Sequence, residues 1–248
     1  MVTALLLVAG AQHGQSYRVV QNLVPLNKRT RVLRLPCRDV RRCKAALGRA
    51  KYLSQIDLKA GYYNVLLVEG SRRLTSFSTH DGTFYWTCMP QGLQNAPAWF
   101  QWVMEDVLWP PGQPALPLSV LLDDVATQHD DVGCNLDDAA EAVLRITRAG
   151  AMVSPAKCKF AVKTTRHLGD KWTSGGYWRP PDGKISALLE LDEQSLASMP
   201  RAQLFGMLGY WRDYVPDFAA RTQRLRHLLR GDAAPWTPAH TEEFRATV

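Results

Sequence analysis

No Cys-x-x-Cys pair occurs in this chain of 248 residues, and its five cysteines, Cys37, Cys43, Cys88, Cys134 and Cys158, are odd in number. A structural zinc site therefore lacks its usual paired thiols, and reduced cysteines in a cytosolic or nuclear setting are expected. The six histidines are scattered and compose no recognisable ligand set. No apolar run is long enough to span a bilayer, so no membrane partner is expected, and no internal repeat is present. The apolar stretch from Ala4 to Ala11 lacks a positive charge ahead of it and is short. It reads as a buried strand in preference to a signal peptide. One sign of charge is also missing locally. Residues 111 to 144 hold seven acids and no Lys or Arg, whereas eleven Lys or Arg lie between Arg18 and Lys51 beside one acid, Asp39. The formal net charge of +7 is thus unevenly spread, and with 46% hydrophobic residues the chain can bury a sizeable core in one unit or two.

Among the acids, Asp123 and Asp124 stand apart because short, mainly apolar runs flank them on both sides, Ser119-Val-Leu-Leu before and Val125-Ala after. That pattern predicts a strand, a tight turn and a second strand, with the carboxylates at the hairpin tip. Asp57 ends another alternating stretch, Tyr52-Leu-Ser-Gln-Ile-Asp. If these strands are neighbours, three carboxylates converge, and a divalent cation that prefers oxygen, magnesium before others, would relieve their repulsion. A solvated turn is the alternative on spacing alone. Asp130-Asp131 and Asp137-Asp138 follow polar residues and are expected on a solvated loop and at a helix start.

Leu74 to Thr79 and Thr83 to Met89 flank His80-Asp81-Gly82, which predicts a β-hairpin whose Asp-Gly supplies the positive φ angles of a type I′ turn. Asn95 is placed to cap a helix with Pro97 in its first turn. Phe100, Val103, Met104, Val107 and Leu108 then recur at helical spacing as a core stripe. Trp109-Pro-Pro-Gly stops that helix, and a second is expected from Asp137 through Arg148. This order predicts an α+β palm, an antiparallel sheet backed by helices on one face with the other face open to a duplex.

In chain order the motifs are IDLKAGYYNV from Ile56, TSFSTHDGTFYWTCMPQGLQNAPAWFQWVMEDVL, VLLDDV, VSPAKCKF and HLGDKWTSGG, followed by SLASMPRAQLFGMLGYWRDYVPDFAARTQRL. The series resembles the reverse transcriptases of gypsy-like LTR retrotransposons, and more distantly those of retroviruses, from about Tyr17 onward. The resemblance implies a right-hand polymerase with partial fingers over residues 1–50, a palm over 51–176 and a thumb- or connection-like helical segment over 177–248. It implies RNA-directed DNA polymerisation, with deoxynucleoside triphosphates and a primed RNA or DNA template as partners, alongside other domains of a pol polyprotein. Two magnesium ions, or manganese in their place, would be held by Asp57 and Asp123 with Asp124 in support. Tyr62 would lie beneath the incoming sugar and exclude a 2′ hydroxyl, the reading without the family being a core aromatic beside Tyr63. Gln91 would lie near nucleotide and template, Lys157 would help protonate the leaving pyrophosphate, and His167 to Gly169 resemble the primer-grip hairpin. Beside such a palm, Arg38, Arg41, Arg42 and Lys44 are expected to contact phosphates, where alone they would read as a solvated face.

The departures are equally specific. Leu121 stands where the family carries Tyr ahead of the paired aspartates. Val24 stands where an arginine would meet the triphosphate, and the fingers hairpin, usually basic, reads Ala9-Gly-Ala-Gln-His-Gly. No RNase H, protease or integrase motif follows, which implies a piece of a larger polyprotein or a degenerate or domesticated copy. A non-catalytic nucleic-acid-binding remnant is therefore the alternative reading.

Overall fold

The computed structural model describes residues 5–9, 17–33, 39–228 and 235–247. Arg38 and the stretch from Gly10 to Gly14 lie outside them. The chain divides into two compact units, Met1–Leu168 with Thr173–Tyr177, and Gly169–Trp172 with Trp178–Val248.

The first unit is organised by a four-stranded antiparallel sheet in the order Leu118–Leu121, Asp124–His129, Tyr52–Asp57 and Lys159–Val162. Alternation sends Ser54 and Ile56 to one face and Leu53, Gln55 and Asp57 to the other. On the first face pack the helices Ala96–Leu108 and Val132–Arg148. Phe100, Met104 and Leu108 from one helix and Ala142 and Ile146 from the other enclose Ile56, Val120 and Val125. Each of the large side chains contributes roughly 2 to 3 kcal/mol by leaving water. The stripe expected on the first helix is thus the core.

The opposite face is less open than expected. The helix Val40–Ala46 packs on it, burying Cys43 and, just beyond its end, Leu47. Gln128 donates to the carbonyl of Ala46, and Gln55 donates to the carbonyl of Arg166 at 2.8 Å. Leu53 is fully buried as a result, while Asp124 at the carboxylate end of that face remains exposed. A half-buried strand pattern cannot show this, because the covering helix lies in the basic segment, its apolar residues are small apart from Val40, and its place on the sheet is set by partners far along the chain.

Other expectations fail locally for identifiable reasons. The His80 hairpin has strands of three residues, Phe77–Thr79 and Gly82–Phe84, and pairs Thr79 with Gly82. Its loop is therefore His80-Asp81, and neither has positive φ, so the Asp-Gly type I′ turn is not formed. Residues 69–75 are instead helical, closed by Thr75, whose hydroxyl donates to Arg72 O at 2.7 Å and accepts from Trp86 N at 3.0 Å. The second helix starts five residues early, at Val132. Asp131 caps it by accepting from Cys134 N at 2.9 Å, which places Asp137-Asp138 in its second turn. Asp130 accepts from Lys51 N at 3.1 Å.

Arg145, the first basic residue after the long acidic stretch, folds back on that stretch. Its buried guanidinium donates to Glu141 Oε1 at 2.7 Å, to Leu108 O at 2.7 Å and to Pro114 O at 3.1 Å. One side chain thereby satisfies the end of the Ala96–Leu108 helix and fastens the irregular connection to the Leu118 strand.

The second unit is helical, with Asp182–Leu189, Glu193–Ser198, Arg201–Trp211, Phe218–Arg221, Gln223–His227 and Pro238–Thr247 around Leu188, Leu196, Leu204, Leu208, Leu225 and Phe244. Asp170 is buried within it and accepts from the hydroxyls of Tyr210 and Tyr214, whose pKa values burial and that carboxylate push up. Among the described residues no helix is long and apolar enough to cross a membrane.

Candidate active site

The central register sets Asp57 directly across from Asp124, and Leu121 pairs with Asp124 to close a hairpin whose two-residue loop is Leu122-Asp123. Directly opposed residues share a face, so two carboxylates meet at the uncovered end of the sheet and the third stands on the adjoining turn. Mutual repulsion is visible in Asp124, whose pKa is pushed up to about 6 by burial first and then by Asp123 and Asp57.

Lys157 reaches this end because the turn before it is hooked to Asp57. Ser154 N donates to Asp57 O at 2.8 Å, Lys157 N donates to Ser154 O at 3.0 Å, and Asp57 N donates to Cys158 Sγ at 3.4 Å. The ammonium then lies 3.8 Å from Asp57 Oδ1.

Tyr62 follows a tight turn in which Ala60 adopts φ +54°. A Cβ on Gly61 would sit 3.1 Å from Phe100 Cζ and 3.5 Å from Asp123 Cβ, so glycine lets the turn approach the carboxylate hairpin. The Tyr62 ring packs at 5.0 Å on that of Phe100, and burial followed by the Asp123 charge pushes its phenol pKa up. Tyr62 is thus a core neighbour and a cavity wall together. Asp57, Asp123, Lys157, Tyr62 and Gln91 line one open cavity of about 450 Å³.

Gln91 sits in a turn whose following residue, Gly92, has φ +97°. That turn is held by Asn27, which donates to Gly92 O at 2.8 Å and accepts from Gln94 N at 3.0 Å. Asn95 makes no cap hydrogen bond, contrary to expectation. Its side chain instead accepts from Leu33 N at 3.1 Å and donates to Arg31 O at 2.9 Å, docking the segment after the Val24–Asn27 helix. In the sequence Asn27 is only a polar residue near a proline, and its partners lie more than sixty residues away.

Among the described residues no three His, Cys, Asp or Glu side chains are arranged to hold an ion between them. A small hard cation does not need such a cage, because it keeps several waters and takes one or two carboxylates together with substrate phosphates. The oxygen donors present and the repulsion around Asp124 fit that kind of ion.

Of the basic residues, Arg41 and Arg42 are exposed on the Val40–Ala46 helix and Lys44 is half-buried. His167 is buried, with Nδ1 3.0 Å from Gln55 Nε2, and its pKa falls to about 4 through burial first and Lys44 second. Leu168 and Gly169 follow it with φ +49° and +81°, forming a tight hairpin tip.

These two shifts predict an unusual acid response. Folded His167 binds its proton less readily than unfolded His, so it removes stability as pH falls from about 6.5 to 4, at most about 3 kcal/mol. Folded Asp124 binds its proton more readily, so it adds stability over the fall from about 6 to 4. Thermal melts at pH 7 and 4.5 without divalent ions should show His167→Gln losing less stability on acidification than the unmodified chain, and Asp124→Asn losing more.

The match to known proteins agrees with this geometry. Residues 12–172 match the family model described as reverse transcriptase (RNA-dependent DNA polymerase). The chain belongs to the reverse transcriptase family. It is 30% identical over 215 residues to the retrovirus-related Pol polyprotein from transposon gypsy of Drosophila melanogaster, covering 87% of this chain and 20% of that one. The genome polyprotein of Petunia vein clearing virus (isolate Shepherd) is 27% identical over 220 residues, covering 88% and 10%. The reverse-transcriptase domain therefore spans about a fifth or less of the length of these relatives. In fold it matches the foamy viral protease-reverse transcriptase solved with double-stranded DNA, at a TM-score of 0.84 and 23% identity over 100% of this chain and 43% of that one. The same viral protein solved with an RNA/DNA hybrid matches at 0.76, with 22% identity over 100% and 33%. The fold is accordingly a polymerase palm, and this reverse-transcriptase domain is of the kind found in retroelement Pol polyproteins, whose family generally uses divalent metals.

Proposed function

We propose that this domain extends a primer 3′ hydroxyl on an RNA template, with magnesium held by Asp57 and Asp123 and Asp124 supporting them. The observation that carries the reading is the Asp57–Asp124 cross-strand pair beside Asp123, at the mouth of a cavity that Tyr62, Gln91 and Lys157 also line. When bound, a pair of divalent ions supplies stabilisation of the entering and leaving oxygens of the displacement. The protein's own groups do the rest. Gln91 orients nucleotide and template, the Tyr62 ring limits space at the 2′ position, and Lys157 Nζ gives a proton to the leaving pyrophosphate. Residues 1–50 serve as partial fingers, 51–176 as palm and 177–248 as thumb or connection. Single-nucleotide extension on matched RNA and DNA templates, with and without Mg²⁺, tests this. Slow, template-dependent, Mg²⁺-dependent addition is expected, and addition indifferent to the ion would overturn it.

The second reading, a nucleic-acid-binding remnant without turnover, is favoured by Val24 and Leu121. Leu121 keeps the strand packed opposite Asp124 but brings no hydroxyl to the site.

Tyr62→Val should raise ribonucleotide relative to deoxyribonucleotide incorporation, because loss of the ring opens the space a 2′ hydroxyl needs. An unchanged ratio in a folded, active variant would return Tyr62 to a packing role on Phe100.

Binding to an RNA–DNA duplex should fall steeply with salt. Charge reversal at Arg41 or Arg42 should reduce the log–log salt slope by about 0.7 to 0.9 for every phosphate it releases, with half-buried Lys44 contributing less. If reversal at both arginines leaves affinity and slope unaltered, the helix is only a solvated face.

A further inference from the structure

The turn that presents Asp123 is held in a backbone conformation that residues with a Cβ rarely adopt, since Leu122 has φ +56°. Its amide donates to Gln101 Oε1 at 2.7 Å. Gln101 is 1% exposed, on the core side of the Ala96–Leu108 helix, and its Nε2 donates to Val120 O at 3.3 Å and to Glu105 Oε1 at 2.9 Å. One primary amide therefore grips the hairpin on both sides of Leu121, as a neighbouring strand would. An apolar side chain of similar volume would fill this place without the cost of burying an amide, so the amide's presence is accounted for by the bonds it makes. The preceding residue, Phe100, supports Gly61 and Tyr62 on the opposite wall.

We propose that Gln101 is a positioning residue for the reaction, holding Leu122 in its left-handed conformation so that Asp123 is presented to the cavity beside Asp57. This rests on the reading of Asp123 as a metal-holding carboxylate. Gln101 lines no part of the cavity and acts only through the turn. If that is its role, relieving the backbone strain should make it dispensable, because glycine takes positive φ without a clamp.

The test uses the unmodified chain, Gln101→Met, Leu122→Gly and the double variant, with two readouts that need no turnover. Amide exchange at Leu122, followed by NMR, should accelerate at least tenfold in Gln101→Met while Val125 and Thr127 stay protected. Mn²⁺ affinity, from the electron paramagnetic resonance signal of the free ion, should weaken about tenfold in Gln101→Met but less than threefold when the same change is made on Leu122→Gly. Unchanged Leu122 exchange in folded Gln101→Met, or an equal loss of Mn²⁺ affinity in both backgrounds, overturns the proposal. If Gln101→Met does not fold, Leu122→Gly with Gln101 left intact should keep Mn²⁺ affinity within threefold of the unmodified chain, and a tenfold loss also overturns it. Asp123→Asn separates the two levels. If it binds Mn²⁺ as the unmodified chain does, Asp123 is not a ligand and the purpose assigned to the clamp fails with it, even where the exchange data show that the clamp exists.

Discussion

Asp123→Asn is expected to lower Mg²⁺-dependent primer extension at least a thousandfold, on the order of 4 kcal/mol in the transition state, while folding and duplex binding stay nearly unchanged. Asparagine is almost isosteric, so the Leu122-Asp123 loop and the neighbouring Gly61 backbone meet the same shape. What is lost is the charge that would hold a small hard cation, which a neutral amide oxygen does not replace. The same change removes one of the two charges repelling Asp124, so the raised pKa of that residue should move down, though burial keeps it above the ordinary carboxylate range. Thermal stability should therefore hold or rise slightly at neutral pH. Substantial Mg²⁺-dependent extension by the folded variant would refute the assignment of Asp123.

The second large effect is a gain. A nucleoside triphosphate carries several negative charges that metal ions neutralise only in part, and positioned cationic donors normally stabilise the remainder as charge moves to pyrophosphate. Val24 opens the Val24–Asn27 helix, is 56% exposed and contributes no core packing, so arginine fits there without cost. The last residue of that helix, Asn27, clamps the turn bearing Gln91, which ties an arginine at 24 to one wall of the cavity. A missing donor costs on the order of 3 kcal/mol, roughly a hundredfold, by analogy with oxyanion-site deletions. The unmodified chain should therefore extend poorly, and Val24→Arg combined with Gln12→Lys should raise kcat/KM for nucleotide by up to about a hundredfold. Efficient extension by the unmodified chain would sink the deficit argument. No gain in the folded double variant would favour a remnant damaged elsewhere.

What the sequence made legible were features whose cause is local or periodic. Alternation around Asp57 and Asp124, and the apolar stripe from Phe100 to Leu108, follow from side-chain geometry within one element. What it hid depends on partners distant along the chain. Asn95 looks like a helix cap because that is the cheapest use of such a residue locally, and only the approach of Arg31 and Leu33 offers it a better one. The early start of the Val132 helix turned on choosing Asp131 over Asp137 as cap, two acids with similar surroundings. Gln101 is indistinguishable from a solvated polar position until the hairpin is placed beneath it. At the site, the carboxylates, Tyr62, Gln91 and Lys157 were all nameable from the motifs, whereas Asn27 and Gln101, which hold the turns beneath them, were not.

The Arg145 fastening bears on how copies of such a domain would decay. Its three hydrogen bonds join a helix end, a proline-rich connection and a neighbouring carboxylate, none of which takes part in chemistry. Lysine cannot reproduce that fork, and an apolar residue would strand the buried carbonyl of Leu108. Mutational drift under no demand for catalysis would erode Asp57 and Asp123 freely, whereas loss of Arg145 removes a buried set of charge-assisted hydrogen bonds and lowers the stability of the fold. A decayed copy that still has a use for its folded surface should therefore keep the guanidinium after the carboxylates are gone.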